Sequence, residues 1–405
     1  MCRFPARFVC TLAIAALVAS GTATPASAAD QVIKIGVDMP LSGADAPEGI
    51  PTLNGIKLAI AEANAHTPRG FTFQLESLDD SVGGVHNPQQ GATNIRSLAA
   101  DAAVLGIIGP YNSNVAAAEI PVSNEAGLPL ISPDVTNPTL TTAKYRPVHP
   151  DQITFFRVGG TDTLQGKAGA IFAKQLGFKR VYIVDDNETY GLGLANVFAS
   201  NFAAEGGTVL GHDHITAGQQ DFKALLTKIA AMHPDAVYYG GDASTGGGLL
   251  RQQMPSVGLD PSKVAFLGGD GISNAGFIKI AGAAANGTFY TVAAPNAAQS
   301  PAAQAFIRSY KSEFGDTLGP FSANAYVATQ VLIAAIDTAI HDLGGKMPTR
   351  AAVLTNLRNT KNFRSLIGSF SFDANGDTNN PIISLWQVKN GKQVFVRQAN
   401  IAASK

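Results

Sequence analysis

Two polar turns hold the residues whose types and spacing first point to chemistry. An apolar run, residues 104–108, breaks at Gly109-Pro110 into Tyr111-Asn112-Ser113-Asn114 and continues as the Ala-rich stretch 115–126, a strand, turn and helix pattern. Ser113 then stands at or beside a helix N-terminus. There its hydroxyl and the unpaired N–H groups of the first turn can hold an anion such as a carboxylate. A second strand, 128–132, ends in Pro133-Asp134-Val135-Thr136-Asn137-Pro138. Thr136, with Asp134 beside it in the same turn, is placed to reach the same ligand. Two adjacent strand ends make one candidate site.

These turns, GIIGPYNSN and ISPDVTNPTL, resemble those of branched-chain amino-acid-binding proteins, the type I periplasmic solute receptors of ATP-driven (ABC) importers. Similar pieces follow in order along nearly the whole chain: IKIGVDMPLSG with LNGIKLAI, FFRVGGTDTLQG, RVYIVDDNETYGLGLA, ITAGQQDFKALLTKI, DAVYYGGD with LLRQQ, FLGGDGISNAGFIKIAG and GPFSANAYVA. The resemblance implies that Ser113 and Thr136 hold the α-carboxylate of an amino acid, that Asp270 meets its ammonium group, and that Tyr190 closes over it. Read alone, Asp270 ends a strand in FLGGDG, where glycines leave room for a ligand, although an Asp after Gly-Gly also forms turns. Such a zwitterion clamp pairs every charge only when both halves close, which couples closure to binding.

The chain also departs from its relatives. Many of them carry an aromatic residue in the first turn and another after the second-lobe Gly-Gly, lining the ligand's side chain. This chain has Glu48 and Asp242 at those places, while Phe321 keeps the aromatic character at a third. Two carboxylates facing an aliphatic side chain carry an uncompensated desolvation cost. The expected ligand therefore keeps an amino-acid head group but has a polar or cationic tail, as in a basic amino acid or a related amine or amide. The other reading turns Glu48 or Asp242 toward solvent.

The elements that must position these groups alternate strand and helix. Residues 33–37 read as a strand, 52–65 as a helix, 71–78 as a strand and 87–100 as a helix. After a Pro-rich connection, 133–150, the pattern restarts with helices at 165–176, 192–205 and 222–231 and strands at 181–184, 236–239 and 264–267. Such alternation implies parallel sheets covered on both faces, with ligands outside the strands' C-terminal ends. The resemblance adds an α/β fold of two αβα lobes joined by three crossover strands, 155–159, 289–293 and 367–372. Lobe 1 takes 30–156 plus 294–368, and lobe 2 takes 157–293 plus 369–405, ending in a hairpin that turns at Asn375-Gly376.

Composition narrows the partners. Of 405 residues 15% are charged, the formal net charge is −1 and no basic cluster occurs, so neither nucleic acid nor an anionic membrane surface is an obvious partner. Residues 1–29 read as an export signal, with Arg3 and Arg7, an apolar segment 8–19 and the cleavage site Ala26-Ser27-Ala28. That segment is too short to span a bilayer, and no later stretch is read as long enough. Both cysteines, Cys2 and Cys10, fall in it, and Cys10 follows Phe8-Val9, unlike a lipid-modified cysteine. The expected mature protein is a thiol-free, unanchored periplasmic or otherwise extracytoplasmic monomer without cofactor, which delivers its ligand to a membrane permease. Relatives often carry a disulfide near the Ser turn, where this chain has Asn112.

Competing signals are weaker. Asp373, Asn375 and Asp377 suggest a calcium loop, but the glycine falls too early and Ser384 replaces the closing glutamate, so a hairpin turn is the better reading. Gly191-Leu192-Gly193 lacks the third glycine of a dinucleotide fingerprint, Asn196 standing there instead. His212 and His214 alternate on one strand face, short of the ligands zinc needs. The acids of Asp185-Asp186-Asn187-Glu188 read as a solvated loop. No nucleophile elbow appears and Ser113 has no histidine near it in sequence, so an enzyme ranks below transport. A ligand-sensing receptor domain of the same fold is the alternative, and the absence of a signalling module before Lys405 favours transport.

Overall fold

The inner strands of two sheets are buried on both faces, as parallel strands covered by helices on each side must be. The computed structural model describes residues 1–2, 31–65, 70–216, 218–316 and 318–403, so the export signal lies outside the described residues apart from Met1 and Cys2. The first sheet contains β1 (Gln31–Met39), β2 (Phe71–Asp79), β3 (Val104–Ile108), β4 (Leu130–Ser132) and β5 (Phe155–Arg157). Its order is β2-β1-β3-β4-β5, and all neighbours are parallel. Ile33, Ile35 and Val37 point to one face, where α1 (Ala46–Ala65) and the long helix Ser322–Asp342 pack. Val104, Ile107 and Leu130 point to the other, against α2 (Pro88–Ala100) and α3 (Ser113–Ala126).

The second sheet repeats this scheme with β6 (Arg180–Asp185), β7 (Thr208–His214), β8 (Ala236–Gly240), β9 (Ala265–Gly268), β10 (Thr288–Val292), β11 (Ile382–Lys389) and β12 (Lys392–Asn400). Its order is β12-β11-β10-β9-β8-β6-β7, antiparallel only where β10, β11 and β12 meet. Val181, Ile183 and Tyr238 face α4 (Asp162–Gln175) and α5 (Thr189–Ala204). Phe198 of α5 stacks on Tyr238 with ring centroids 3.7 Å apart. Tyr182, Val237 and Phe266 face the other way, toward α6 (Lys223–Ala231).

Several expectations need correction. α1 begins at Ala46 instead of residue 52, although Pro47, Gly49 and Pro51 all weigh against helix there. Tertiary bonds outweigh that bias, for the Pro51 carbonyl accepts from Tyr310 Oη at 3.0 Å and Ser322 Oγ at 2.9 Å. The helix Ser322–Asp342 is long and apolar enough to cross a membrane, contrary to the expectation that no later stretch would be. Its apolar residues are packed in the first lobe's core. Residues 367–372 do not join either large sheet, since Gly368–Phe370 pairs with Phe363–Ser365 in a ribbon of its own. The C-terminal hairpin turns at Asn390-Gly391, whose φ angles of 53° and 67° are those a two-residue hairpin loop requires. Asn375-Gly376 instead closes a small loop bridged by Phe372 and Thr378.

That small loop docks on the chain crossings. The Gly376 carbonyl accepts from Arg157 N at 3.1 Å, and a Cβ at Gly376 would lie 2.3 Å from the Phe155 carbonyl oxygen. The buried Arg157 guanidinium donates to Asp377 Oδ1 at 2.5 Å and to the carbonyls of Val135 and Asn137 at 3.0 and 2.9 Å. It therefore ties the Thr136 turn to the crossing segments. Removing one member of a buried, hydrogen-bonded pair costs about 3 kcal/mol or more. Arg157→Ala is expected to lower the unfolding free energy by that amount in denaturant titration, and an unchanged midpoint would contradict the role assigned to it.

Candidate functional site

The C-terminal ends of the two sets of parallel strands face one another across a cavity whose empty space, with the part open to solvent, is about 280 Å³. Ten residues line it: Tyr111, Asn112, Ser113, Asp134, Thr136 and Phe321 from the first lobe, and Tyr190, Asp242, Asp270 and Gly271 from the second. Seven of the eight residues singled out in the sequence are thus brought together. A larger hollow of about 650 Å³, near Tyr290 and Trp386, is lined by no charged side chain. Chemistry, not size, marks the smaller one.

On the first lobe, Ser113 is the opening residue of α3. The N-cap residue Asn112 makes no capping bond with its side chain, and within the first turn Val115 N donates to Asn114 Oδ1 at 2.9 Å. Ser113 Oγ accepts from Asn137 N at 3.4 Å, and the Thr136 carbonyl accepts from Asp162 N at 2.8 Å. Both hydroxyls stand on the same wall as Asp134. Burial, then the charges of Asp270 and Asp242, push the Asp134 carboxyl well above the usual carboxylate range.

On the second lobe, α5 begins at Thr189, earlier than residue 192, and this places Tyr190 in its first turn. Tyr190 Oη donates to Asp270 Oδ1 at 2.5 Å and accepts from Gly271 N at 3.2 Å. Asp270 Oδ2 lies 3.4 Å from Ala293 N. Burial raises the Asp270 pKa, and the Tyr190 bond opposes that rise. Tyr190 thus orients the carboxylate as well as standing in the cavity wall. Asp242 follows β8, and Asn112 Nδ2 of the opposite lobe donates to its Oδ2 at 3.0 Å. Glu48 is the exception, because the early start of α1 turns it toward lobe 2 behind the cavity wall. There one oxygen binds Asn274 Nδ2 and the other, also buried, has no partner.

The two lobes are shut against each other by further polar bonds that sequence reasoning missed. Asn114 Nδ2 reaches Glu188 Oε2 at 2.8 Å, and Asn137 Nδ2 reaches the Thr189 carbonyl at 2.6 Å. Buried His86 joins Asp45 at 2.8 Å to Glu188 at 3.0 Å across the cleft. The acids after β6 are not a solvated loop, for Asp185 and Asp186 are both buried. Asp185 takes His212 Nε2 at 2.5 Å and His214 Nδ1 at 2.8 Å, so the two histidines hold a carboxylate from the neighbouring strand. Asp373 Oδ1 accepts from Asn375 N at 2.7 Å and Asp377 N at 3.0 Å, which is turn chemistry.

Paired αβα lobes with a closed polar cavity at their facing strand ends define a two-lobed solute receptor. Residues 32–393 match the periplasmic binding protein family. The Leu/Ile/Val-binding protein BraC3 of Rhizobium johnstonii is 34% identical over 385 residues, which cover 94% of this chain and 97% of that protein. A leucine-binding protein from Thermotoga maritima superposes with a TM-score of 0.79 at 30% identity, covering 91% of this chain and 99% of that one. A branched-chain amino acid transporter substrate-binding protein from Streptococcus pneumoniae, in complex with isoleucine, gives 0.77 at 26% identity, covering 91% and 100%. The chain belongs to the periplasmic binding protein family, in its branched-chain amino-acid-binding group, a family of solute receptors and not of enzymes.

His86 makes the closed form sensitive to pH. Burial lowers its pKa most, yet the bonds to Asp45 and Glu188 outweigh burial and hold the imidazole well above its ordinary value of 6.5. A folded-state pKa raised in this way stabilises fully below the unfolded value, and the contribution is lost as pH rises through the folded value. The buried acids with raised pKa pull the same way, so His86→Gln isolates the imidazole. Melting temperatures measured from neutral to alkaline pH are expected to fall less steeply in His86→Gln than in the unsubstituted protein. Parallel profiles would remove His86 from the account.

Proposed function

We propose that this chain is the extracytoplasmic receptor of an ABC importer, which closes its two lobes on an amino acid or a related amine and presents it to a membrane permease driven by a separate ATPase. The observation that carries this reading is the placement of Asp270, oriented by Tyr190 on one lobe, across a single cavity from Ser113 and Thr136 on the other. An ammonium group meets Asp270, and the other polar end of the ligand meets the two hydroxyls at the head of α3. Export by residues 1–29 without a lipid anchor, and action as a monomer, belong to the same reading.

Several relatives are named for binding leucine, isoleucine or valine. In this chain Asp242 stands in the cavity wall with Asp134 opposite, and both are buried. An aliphatic side chain there leaves carboxyl groups desolvated with nothing to bond, so a polar or cationic tail suits the wall better. Phe321 and Tyr111, whose rings meet edge-on at 6.0 Å, supply the apolar part of the lining.

Titration calorimetry on the mature protein tests the ammonium assignment, after a thermal-shift screen of amino acids and small amines has found the tightest compound. Asp270→Ala leaves the ammonium buried and unpaired, a loss of about 3 kcal/mol or more, which is over a hundredfold in affinity. Affinity within a few-fold of the unsubstituted protein would reject Asp270 as the ammonium partner.

A further inference from the structure

We infer that the ligand is an organic cation without a carboxylate, bearing two nitrogen donors at its ends, of the diamine or guanidino-amine class. This rests on the reading above, that the interlobe cleft is the ligand site, and narrows it. The starting point is what surrounds the cavity. Asp134, Asp242 and Asp270 line it, and no Lys, Arg or His is among the ten lining residues. The acids come from both lobes, so any ligand held between the lobes has a carboxyl group on either side.

The wall expected to receive a carboxylate is the informative one. Ser113 and Thr136 stand there with Asp134, a buried acid whose only side-chain partner is a distant Ser132 Oγ at 3.5 Å. A ligand carboxylate bound by those hydroxyls would share the wall with Asp134 and add an anion to a cavity that already has three acids. A nitrogen cation in the same place meets Asp134, and the hydroxyls can serve it, since each can accept as well as donate.

One further atom asks for a donor. Asn112 Nδ2 donates to Asp242 Oδ2, and its Oδ1, an acceptor only, is buried without a partner among the described residues. Tyr111 Oη, which can donate or accept, is buried without a partner among the described residues, and both residues line the cavity. A buried acceptor left empty is costly, and an N–H group of the ligand would fill it. Asp134 from one lobe and Asp270 from the other can each take a cationic nitrogen, and the Tyr111 and Phe321 rings offer apolar surface to the methylenes that join them.

Matched pairs that differ only in the carboxylate test this directly. Calorimetry on the mature protein should compare lysine with cadaverine and arginine with agmatine, with leucine as the aliphatic control. The amine of at least one pair is expected to bind ten or more times tighter than its amino acid, and Asp134→Asn should shrink that ratio at least tenfold. Equal or tighter binding of the amino acids, tight binding of leucine alone, or no binding by any of the five compounds would overturn the inference. Asp270→Ala separates the two levels of the argument. If the amino acids bind better and lose affinity in that variant, only the inference fails. If any compound binds both forms equally, the cleft reading fails with it.

Discussion

Burying a carboxylate is the difficulty that organises this protein. Away from water an ionised acid requires a partner charge or several donors. Closing the cleft nevertheless surrounds one cavity with Asp134, Asp242 and Asp270 and sets Glu48 behind them. Part of the need is met internally, by Tyr190 for Asp270, by Asn112 for Asp242 and by Asn274 for Glu48. The last two bonds cross between lobes, so shutting the cleft itself satisfies acids that would otherwise need water. What remains unsatisfied is the share left for a ligand, and in this way recognition and closure become one event.

The scaffold makes that confrontation possible because both sheets end at the same place. Parallel strands put all their C-terminal ends on one edge, and the turns that follow lead into helix N-termini at α3 and α5. Each lobe therefore offers polar turns at a helix head, held by an apolar interior that cannot shift without loss. Arg157 extends this rigidity to the Thr136 turn by binding the carbonyls of Val135 and Asn137.

Much of this was legible in the sequence, and what was hidden had physical reasons. Residues 104–108 are apolar throughout and bounded by Gly-Pro, so β3 could be read with its observed ends. Ser113 and Thr136 were visible because each follows a strand in a polar turn, whereas Tyr190 and Asp270 were reached through the resemblance to solute receptors. Glu48 was misjudged because two prolines and a glycine conceal the start of α1, and only bonds to the distant Tyr310 and Ser322 reveal why the helix extends. His86 and Glu188 lie 102 residues apart and share no local pattern, so their bond could be seen only in three dimensions. Asn375-Gly376 and Asn390-Gly391 are the same dipeptide. The uninterrupted strands flanking the second were the better guide to the hairpin.

The three connections between lobes lie against one another. Gly160 N donates to the Ala293 carbonyl at 2.8 Å, and the loop at Gly376 rests on Phe155 and Arg157. Together they tie the lobes to one another where the chain passes between them. A solute held inside is enclosed by this seam and by the polar bonds between the lobes. Its residence time is then the waiting time of a door, set by how often the bonds at Asn114, Glu188 and His86 let go together.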